Sequence, residues 1–474
     1  MRRVFLCLSL LAIAAAAAIA AAAEKKGGKL YDELYRPQFH FTPAKNWMND
    51  PNGLVFYKGE YHLFFQHNPK DTKWGNMTWG HAVSPDMFHW TQLDHAIHPD
   101  KLGTIWSGSA VVDWNNTAGF QTGEEKPIIC VFTYGGDVTP GIKASQALAY
   151  SNDRGRTFVK YDKNPVLPHI LGVNRDPKVF WHEPTKKWVM ALFLDGNTYA
   201  LFGSSDLKQW SRLCDVSVPG GDECPDMFQL PVDNDPKNSK WVFWAANNTY
   251  LLGSFDGSTF IREEGPLRLH FGKNRYAAQT FSDVPASDGR RLQIAWMSGA
   301  GFPGMPFNQQ MSLPVTLTLR TFAEGVRLCA EPAKEVEGLR EKRHAWSDVP
   351  LKPGENPLAD VRGDLFDIRL NVAVESATEL GLTIRGTSLV YNVKDGELSC
   401  LGKTAAIEAS GGVLELRVLV DRTSIEIFSG DGRVMMAYCF LPSEKDRCLS
   451  VFAKGGEARL RSLEVWELKS ASRK

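Results

Sequence analysis

Apolar residues in this chain come in short β-branched and aromatic runs, broken by Gly, Pro, Asn and Asp, and amphipathic helical spacing is nearly absent from residues 40–320. That pattern predicts strands. One local motif recurs. Ser84-Pro-Asp86 is followed by Trp90, Ser151-Asn-Asp153 by Phe158, Ser204-Ser-Asp206 by Trp210 and Ser254-Phe-Asp256 by Phe260. Each follows a small and apolar run, so the same strand–turn–strand hairpin is used four times, with Ser and Asp forming the turn. The repeated aspartates stand roughly 67, 53 and 50 residues apart, a propeller period rather than a solenoid period. A looser fifth unit fits Tyr276 to Leu313. The expected fold class is all-β: a five-bladed β-propeller over residues 35–325, then a C-terminal β-sandwich. Residues 326–345 read as a charged linker with a short helix around Pro332–Glu341. From 346 to 474, alternating runs such as Phe366–Val372 and Leu414–Val420 predict an antiparallel sandwich.

The first 23 residues differ from the rest. Two arginines precede an apolar stretch that ends in an Ala-x-Ala site at Ala23, the pattern of a signal peptide, so the mature chain is expected to be secreted or periplasmic. No later segment is apolar enough to span a membrane. Removing that segment leaves 52 basic against 54 acidic side chains. A net charge near zero favours neither nucleic acid nor an anionic membrane as a partner. Oligomeric state is left open. Seven cysteines remain, odd in number and irregularly spaced, which predicts buried thiols, with room for one or two disulfides and no zinc motif.

Candidate chemistry comes from the blade starts. Asn49-Asp50-Pro51, Arg175-Asp176-Pro177 and Glu223-Cys224-Pro225 each place a carboxylate one or two residues before a proline that leads into a strand and hairpin. Proline is accepted at the first residue of a strand and fixes the approach of the chain. An isolated Asp-Pro is usually only a turn. Three acids at one repeat address should instead converge on the propeller axis, at one mouth of its channel. Converging carboxylates also suit calcium, but the nearby Trp47, Trp74, Trp79 and Trp106 suit sugar rings better. Glycosidic cleavage asks for such a set, with one acid to protonate the leaving oxygen and a second carboxylate to attack.

Trp47-Met-Asn-Asp-Pro-Asn-Gly53, Arg175-Asp176-Pro177 and Glu223-Cys224-Pro225 resemble the three signature motifs of glycoside hydrolase family 32, the invertases, levanases and inulinases. Trp106-Ser107-Gly108 and the sandwich motif Asp421–Phe428 are similar as well. The resemblance runs from about Phe41 to Trp466. It implies a retaining hydrolase of β-linked fructosyl sugars, with Asp50 as nucleophile, Glu223 as acid/base and Asp176 as transition-state stabiliser. Asn49, Gln66, Trp74, Trp106, Ser107, Arg175 and Tyr276 are implied to contact the fructosyl unit of an oligo- or polysaccharide substrate. No metal or cofactor is implied. The chain departs from the family pattern at Asn274-Arg275, where many members carry Asp-Phe, and in Gly299–Asn308, so an altered pocket rim is expected. Fructosyl transfer and a non-catalytic carbohydrate-binding role stay open as alternatives. So do the preference among levan, inulin and sucrose, and endo or exo attack.

Overall fold

The computed structural model describes residues 30–136 and 141–472; the expected signal segment lies outside the described residues. Antiparallel strands fall into groups of four. Asn46–Tyr57, Glu60–Asn68, Thr78–Ser84 and Thr91–Ile97 form the first, and Thr104–Val112, Ile128–Gly135, Ser145–Ser151 and Val159–Lys160 the second. Arg175–His182, Lys187–Asp195, Thr198–Ser204 and Ser211–Ser217 follow. Asp226–Val232, Asp235–Trp244, Thr249–Phe255 and Phe260–Arg268 come next. Tyr276–Thr280, Arg291–Trp296, Val315–Phe322 and Gly325–Pro332 form the last. The first strands lie innermost: 46–57 packs on both 104–112 and 276–280, and 104–112 packs on 175–182. This is the β-propeller arrangement. Apolar layers fill the space between neighbouring groups, such as Phe64, Trp79, Ile105 and Phe132, or Val189, Leu201, Phe243 and Leu251. The last group meets the first where Ser282 N donates to Leu54 O at 2.8 Å and Phe56 N to Ser282 O at 3.0 Å.

The repeated Ser-x-Asp turn joins the third strand to the fourth in four groups. Asp86 Oδ1 accepts from Phe88 N at 3.0 Å and His89 N at 2.8 Å, and Asp206 Oδ1 from Lys208 N and Gln209 N at 2.9 Å. Asp153 and Asp256 cap their turns in the same way. The residue after each aspartate (Met87, Arg154, Leu207, Gly257) is left-handed, with φ of 67°, 58°, 63° and 95°. The aspartate is repeated because its side chain satisfies backbone N–H groups that this tight reversal leaves exposed.

Residues 326–345 correct the sequence reading. Gly325–Pro332 is a strand paired along its length with Val315–Phe322, and Arg340–Leu351 is already a strand of the second domain. Between them Lys334–Leu339 makes a short 3-10 turn in place of the expected helix. Val336 and Leu339 are the buried pair, and their three-residue spacing matches the 3-10 repeat. Gly338 further weakens any longer helix.

The second domain packs a six-stranded sheet on a five-stranded one, with Ile368, Val418, Ile425, Leu380, Leu389 and Val451 in the core between them. It is bolted to the propeller by a buried polar cluster. His40 Nδ1 meets Asp421 Oδ2 and His40 Nε2 meets Glu426 Oε1, each at 2.8 Å. Asp421 also accepts from Gln38 N and Phe39 N, and Glu426 from Leu313 N at 2.7 Å. Seven free cysteines, Cys130, Cys214, Cys224, Cys329, Cys400, Cys439 and Cys448, are present among the described residues, so no disulfide supports either domain there.

Candidate active site

Asp50 and Asp176 lie where their innermost strands lose regular pairing, and Glu223 stands just before the innermost strand Asp226–Val232 of the fourth group. Register shifts fall between Met48 and Pro51, between Ile105 and Gly108, opposite Arg175–Lys178, and between Tyr276 and Gln279. In a regular strand adjacent side chains point to opposite faces. A bulge breaks that alternation and re-aims a side chain, here at the same level in four groups. Asp176, Glu223 and Cys224 have φ of 62°, 32° and 29°. Asp176 and Cys224 each precede a proline, which favours extended backbone, so this left-handed geometry works against local preference. Such conformations cost about 1–3 kcal/mol each and persist where the surrounding fold imposes them.

Cys224 ties the cluster together. Its amide donates to Asp176 Oδ2 at 3.2 Å, and its thiol lies 3.4 Å from Asp176 Oδ2 and 3.8 Å from Asp50 Oδ2. Arg175 donates to Glu223 Oε1 at 2.5 Å, with its Nε 3.6 Å from Asp176 Oδ2 and its guanidinium over the Phe193 ring. Ser107 Oγ donates to Asp50 Oδ2 at 2.6 Å. Tyr276 OH reaches Asp222 Oδ2 at 2.7 Å and Glu223 Oε2 at 3.2 Å.

Burial pushes Asp50 up to about 6, with the Glu223 charge adding to it and the Ser107 and Asn49 hydrogen bonds opposing it. Burial likewise raises Asp176 to about 7, against the pull of Arg175 and with Glu223 and Asp50 adding repulsion. Burial also lifts the Cys224 thiol far above its ordinary range, and the surrounding carboxylates add to this, so it stays neutral. Ligand atoms of Asp176, Glu223 and Cys224 lie within 4.8 Å of one another, a spacing compatible with a cation. A neutral thiol and a guanidinium already set against both carboxylates fit a metal poorly.

The other expected contacts divide. Asn49 sits beside Asp50 and accepts from Trp47 Nε1 at 2.9 Å. Gln66 is buried with no partner for its Nε2 among the described residues. Trp106 is partly buried against Gly135, where any side chain would overlap its ring. Trp74 is 51% exposed, on the 69–77 loop whose Asp71 carbonyl accepts from Trp47 N at 2.9 Å. Asn274, expected at the rim, is instead buried: it donates to Ser298 O at 2.6 Å and accepts from Cys439 N at 2.8 Å, bracing the sandwich. Arg275 is buried beside it, bound to Asn248 and Gln293. Sequence reasoning missed Asp222, which anchors Tyr276, and Trp296, whose ring lies 6.3 Å from both Trp47 and Tyr276. Their only sequence signal was adjacency to a proposed acid in the first case and an aromatic strand end in the second.

Fold and site together define a propeller-borne glycosidase of the paired-carboxylate type. The chain belongs to glycosyl hydrolases family 32, whose N-terminal domain matches residues 40–332 and whose C-terminal domain matches residues 335–467. It is 40% identical to a levanase of Bacillus subtilis (strain 168), covering 93% of this chain and 71% of that protein. An extracellular exo-inulinase of Aspergillus awamori is 29% identical over 93% of this chain and 96% of its own length. The crystal structure of exo-inulinase from Aspergillus awamori gives a TM-score of 0.84 at 28% identity, covering 93% of this chain and 99% of that one. A fructofuranosidase from Schwanniomyces occidentalis complexed with fructosylnystose also gives 0.84, at 29% identity and 94% and 99% coverage. The chain is a glycoside hydrolase of the β-fructofuranosidase group.

Proposed function

We propose that the protein releases terminal β-D-fructofuranosyl residues from levan, inulin or sucrose with retention, through a covalent fructosyl intermediate on Asp50. Glu223 protonates the glycosidic oxygen while the Asp50 carboxylate attacks the anomeric carbon, so the bond to the leaving sugar breaks as the ester forms. Water then attacks the same carbon, giving its proton to Glu223 and freeing Asp50. Asp176 holds sugar hydroxyls and supports the positive charge that develops on the ring. The observation that carries this reading is Cys224, whose amide and thiol bring Asp50 and Asp176 together immediately beside Glu223.

The same reading counts five blades, with Gly325–Pro332 completing the fifth, and treats the sandwich as a supporting domain. Exo attack is supported by the burial of Asn49, Gln66 and Ser107, which suits one enclosed terminal ring, and by the exo-inulinase relatives. Export is supported by the N-terminal apolar segment and by the extracellular relative. Chromatography of products from sucrose, inulin and levan, with Asp50→Ala as control, is the test. Free fructose from the unmodified enzyme alone is expected. Mid-chain oligosaccharides as first products would overturn exo attack, and fructose release by the Asp50→Ala variant would overturn the nucleophile assignment.

A further inference from the structure

The innermost strands have a second end. Lys178 lies two residues beyond Asp176, Thr280 four beyond Tyr276, and Val112 five beyond Ser107. At roughly 3.3 Å per residue that is about 7–17 Å along the channel from the carboxylates. There a separate cavity of about 450 Å³ opens. Cross-links between innermost strands lie between the two, where Gly108 N donates to Asn52 Oδ1 at 3.2 Å and Gln279 Nε2 to Gly108 O at 2.9 Å, and Lys178 Nζ closes the near wall of the cavity by donating to Thr280 O at 2.6 Å. The second cavity is therefore not an extension of the first.

We propose that this rear cavity is a second glycosyl-binding site, taking one or two rings of the oligosaccharides assigned above as substrate, on which reading it rests. Its walls are aromatic: Trp114, 49% exposed, with Trp181 and Trp241, surfaces that sugar rings stack on. Its polar groups are of the kind that read hydroxyls. Asp283 accepts from Val112 N and from Trp114 Nε1, both at 2.8 Å, which fixes the indole and leaves acceptor lone pairs on the carboxylate. Arg291, partly exposed, is held over the Phe228 ring at 5.3 Å and feels the charge of Asp226, which leaves its guanidinium donors available to a ligand. Thr280 Oγ1, in the cavity lining, is buried without a partner among the described residues. A buried hydroxyl left unpaired is costly, and a sugar hydroxyl that pairs with Thr280 relieves it, with the Arg291 donors beside it. Charge decides between a sugar and an ion. Lys178 is offset by Asp226 at 3.5 Å, Arg291 shares the cavity with Asp283, and Glu183, the remaining charged residue of the lining, is paired with Lys186, so the site has no net charge to select an anion or a cation. The volume lies within the range of small-ligand pockets.

Calorimetric titration of Asp50→Ala protein with 1-kestose tests the proposal. Two binding events per chain are expected, falling to one in Asp50→Ala/Trp114→Ala and in Asp50→Ala/Arg291→Met. With Asp50 intact, Trp114→Ala should keep kcat and KM for sucrose, which shows that the fold and the front site are undisturbed. A single binding event in Asp50→Ala protein, or two events surviving both double substitutions, would overturn it. So would a second event obtained with inorganic phosphate and not with the sugar. Turnover by Asp50→Ala protein would instead count against the front-site assignment and would be visible as fructose release.

Discussion

Arg175 donates to Glu223 Oε1 at 2.5 Å, so the carboxyl group assigned to proton transfer is oriented by a fixed cation. The same guanidinium keeps its Nε 3.6 Å from Asp176. A lysine presents a single point charge and cannot span both acids. Arg175→Lys should therefore fold normally and lose about 10²-fold in kcat/KM, as misplacement of a reacting group does. Steady-state kinetics beside an unfolding curve checks it; wild-type kcat/KM would remove Arg175 from the site.

The pH profile should carry the signature of Asp50. Attack needs the carboxylate, and burial, aided by the Glu223 charge, sets Asp50 at about 6. Activity should thus fall as pH drops through about 6. Ser107 stabilises the charged form with its 2.6 Å hydrogen bond, so Ser107→Ala should raise that limb by roughly one pH unit. A limb that stays in place would mean another group controls it.

His40 should make stability depend on pH. Burial alone would lower its pKa, but the hydrogen bonds and charges of Asp421 and Glu426 outweigh burial and raise it from 6.5 to about 9. A folded pKa above the unfolded one gives stability that is fully present below about 6.5 and lost as pH rises through about 9. His40→Ala leaves two buried carboxylates without their cation and should cost about 3–5 kcal/mol. Denaturant unfolding at pH 6.5 and 9.5 checks both points: the wild-type difference should be absent from the variant.

Reducing agents should change nothing. The seven described cysteines are free, and Cys448 is the exposed one among them. Native protein should present one rapidly reacting thiol and keep full activity after it is labelled. Inactivation on labelling would show that Cys224, which is buried and neutral, is reachable.

Much of this was legible beforehand because it repeats. The Ser-x-Asp turns announced the blades, since each aspartate answers the same local need for acceptors, and the carboxylate-before-proline address located Asp50, Asp176 and Glu223. What was not legible has no period. Asp222 matters through a tyrosine 54 residues away, and Trp296 through two aromatic rings contributed by other strands. The substitution at Asn274 reads as a change at the rim because Tyr276, two residues on, reaches Glu223. Two residues along a regular strand would share a face, but Asn274 precedes the strand Tyr276–Thr280, and its amide is taken up by Ser298 O and Cys439 N. The 326–345 segment misled for a similar reason. Its charges sit on the solvent sides of two strands, and no pattern within the segment reveals the partners that make it sheet.

The bulged innermost strands have a consequence for how such an enzyme diversifies. Asp50, Ser107, Arg175 and Tyr276 are all aimed by scaffold irregularities rather than by loops. The 69–77 and 299–308 segments, placed at the entrance on the proposed reading, are joined where Asn308 Nδ2 donates to Thr72 O at 3.0 Å. On that reading recognition rests on different segments from those that aim these four side chains. Exchanging the two segments as a pair should then shift the preference among fructans with the chemistry left in place, whereas altering a bulge should lower activity on every substrate at once.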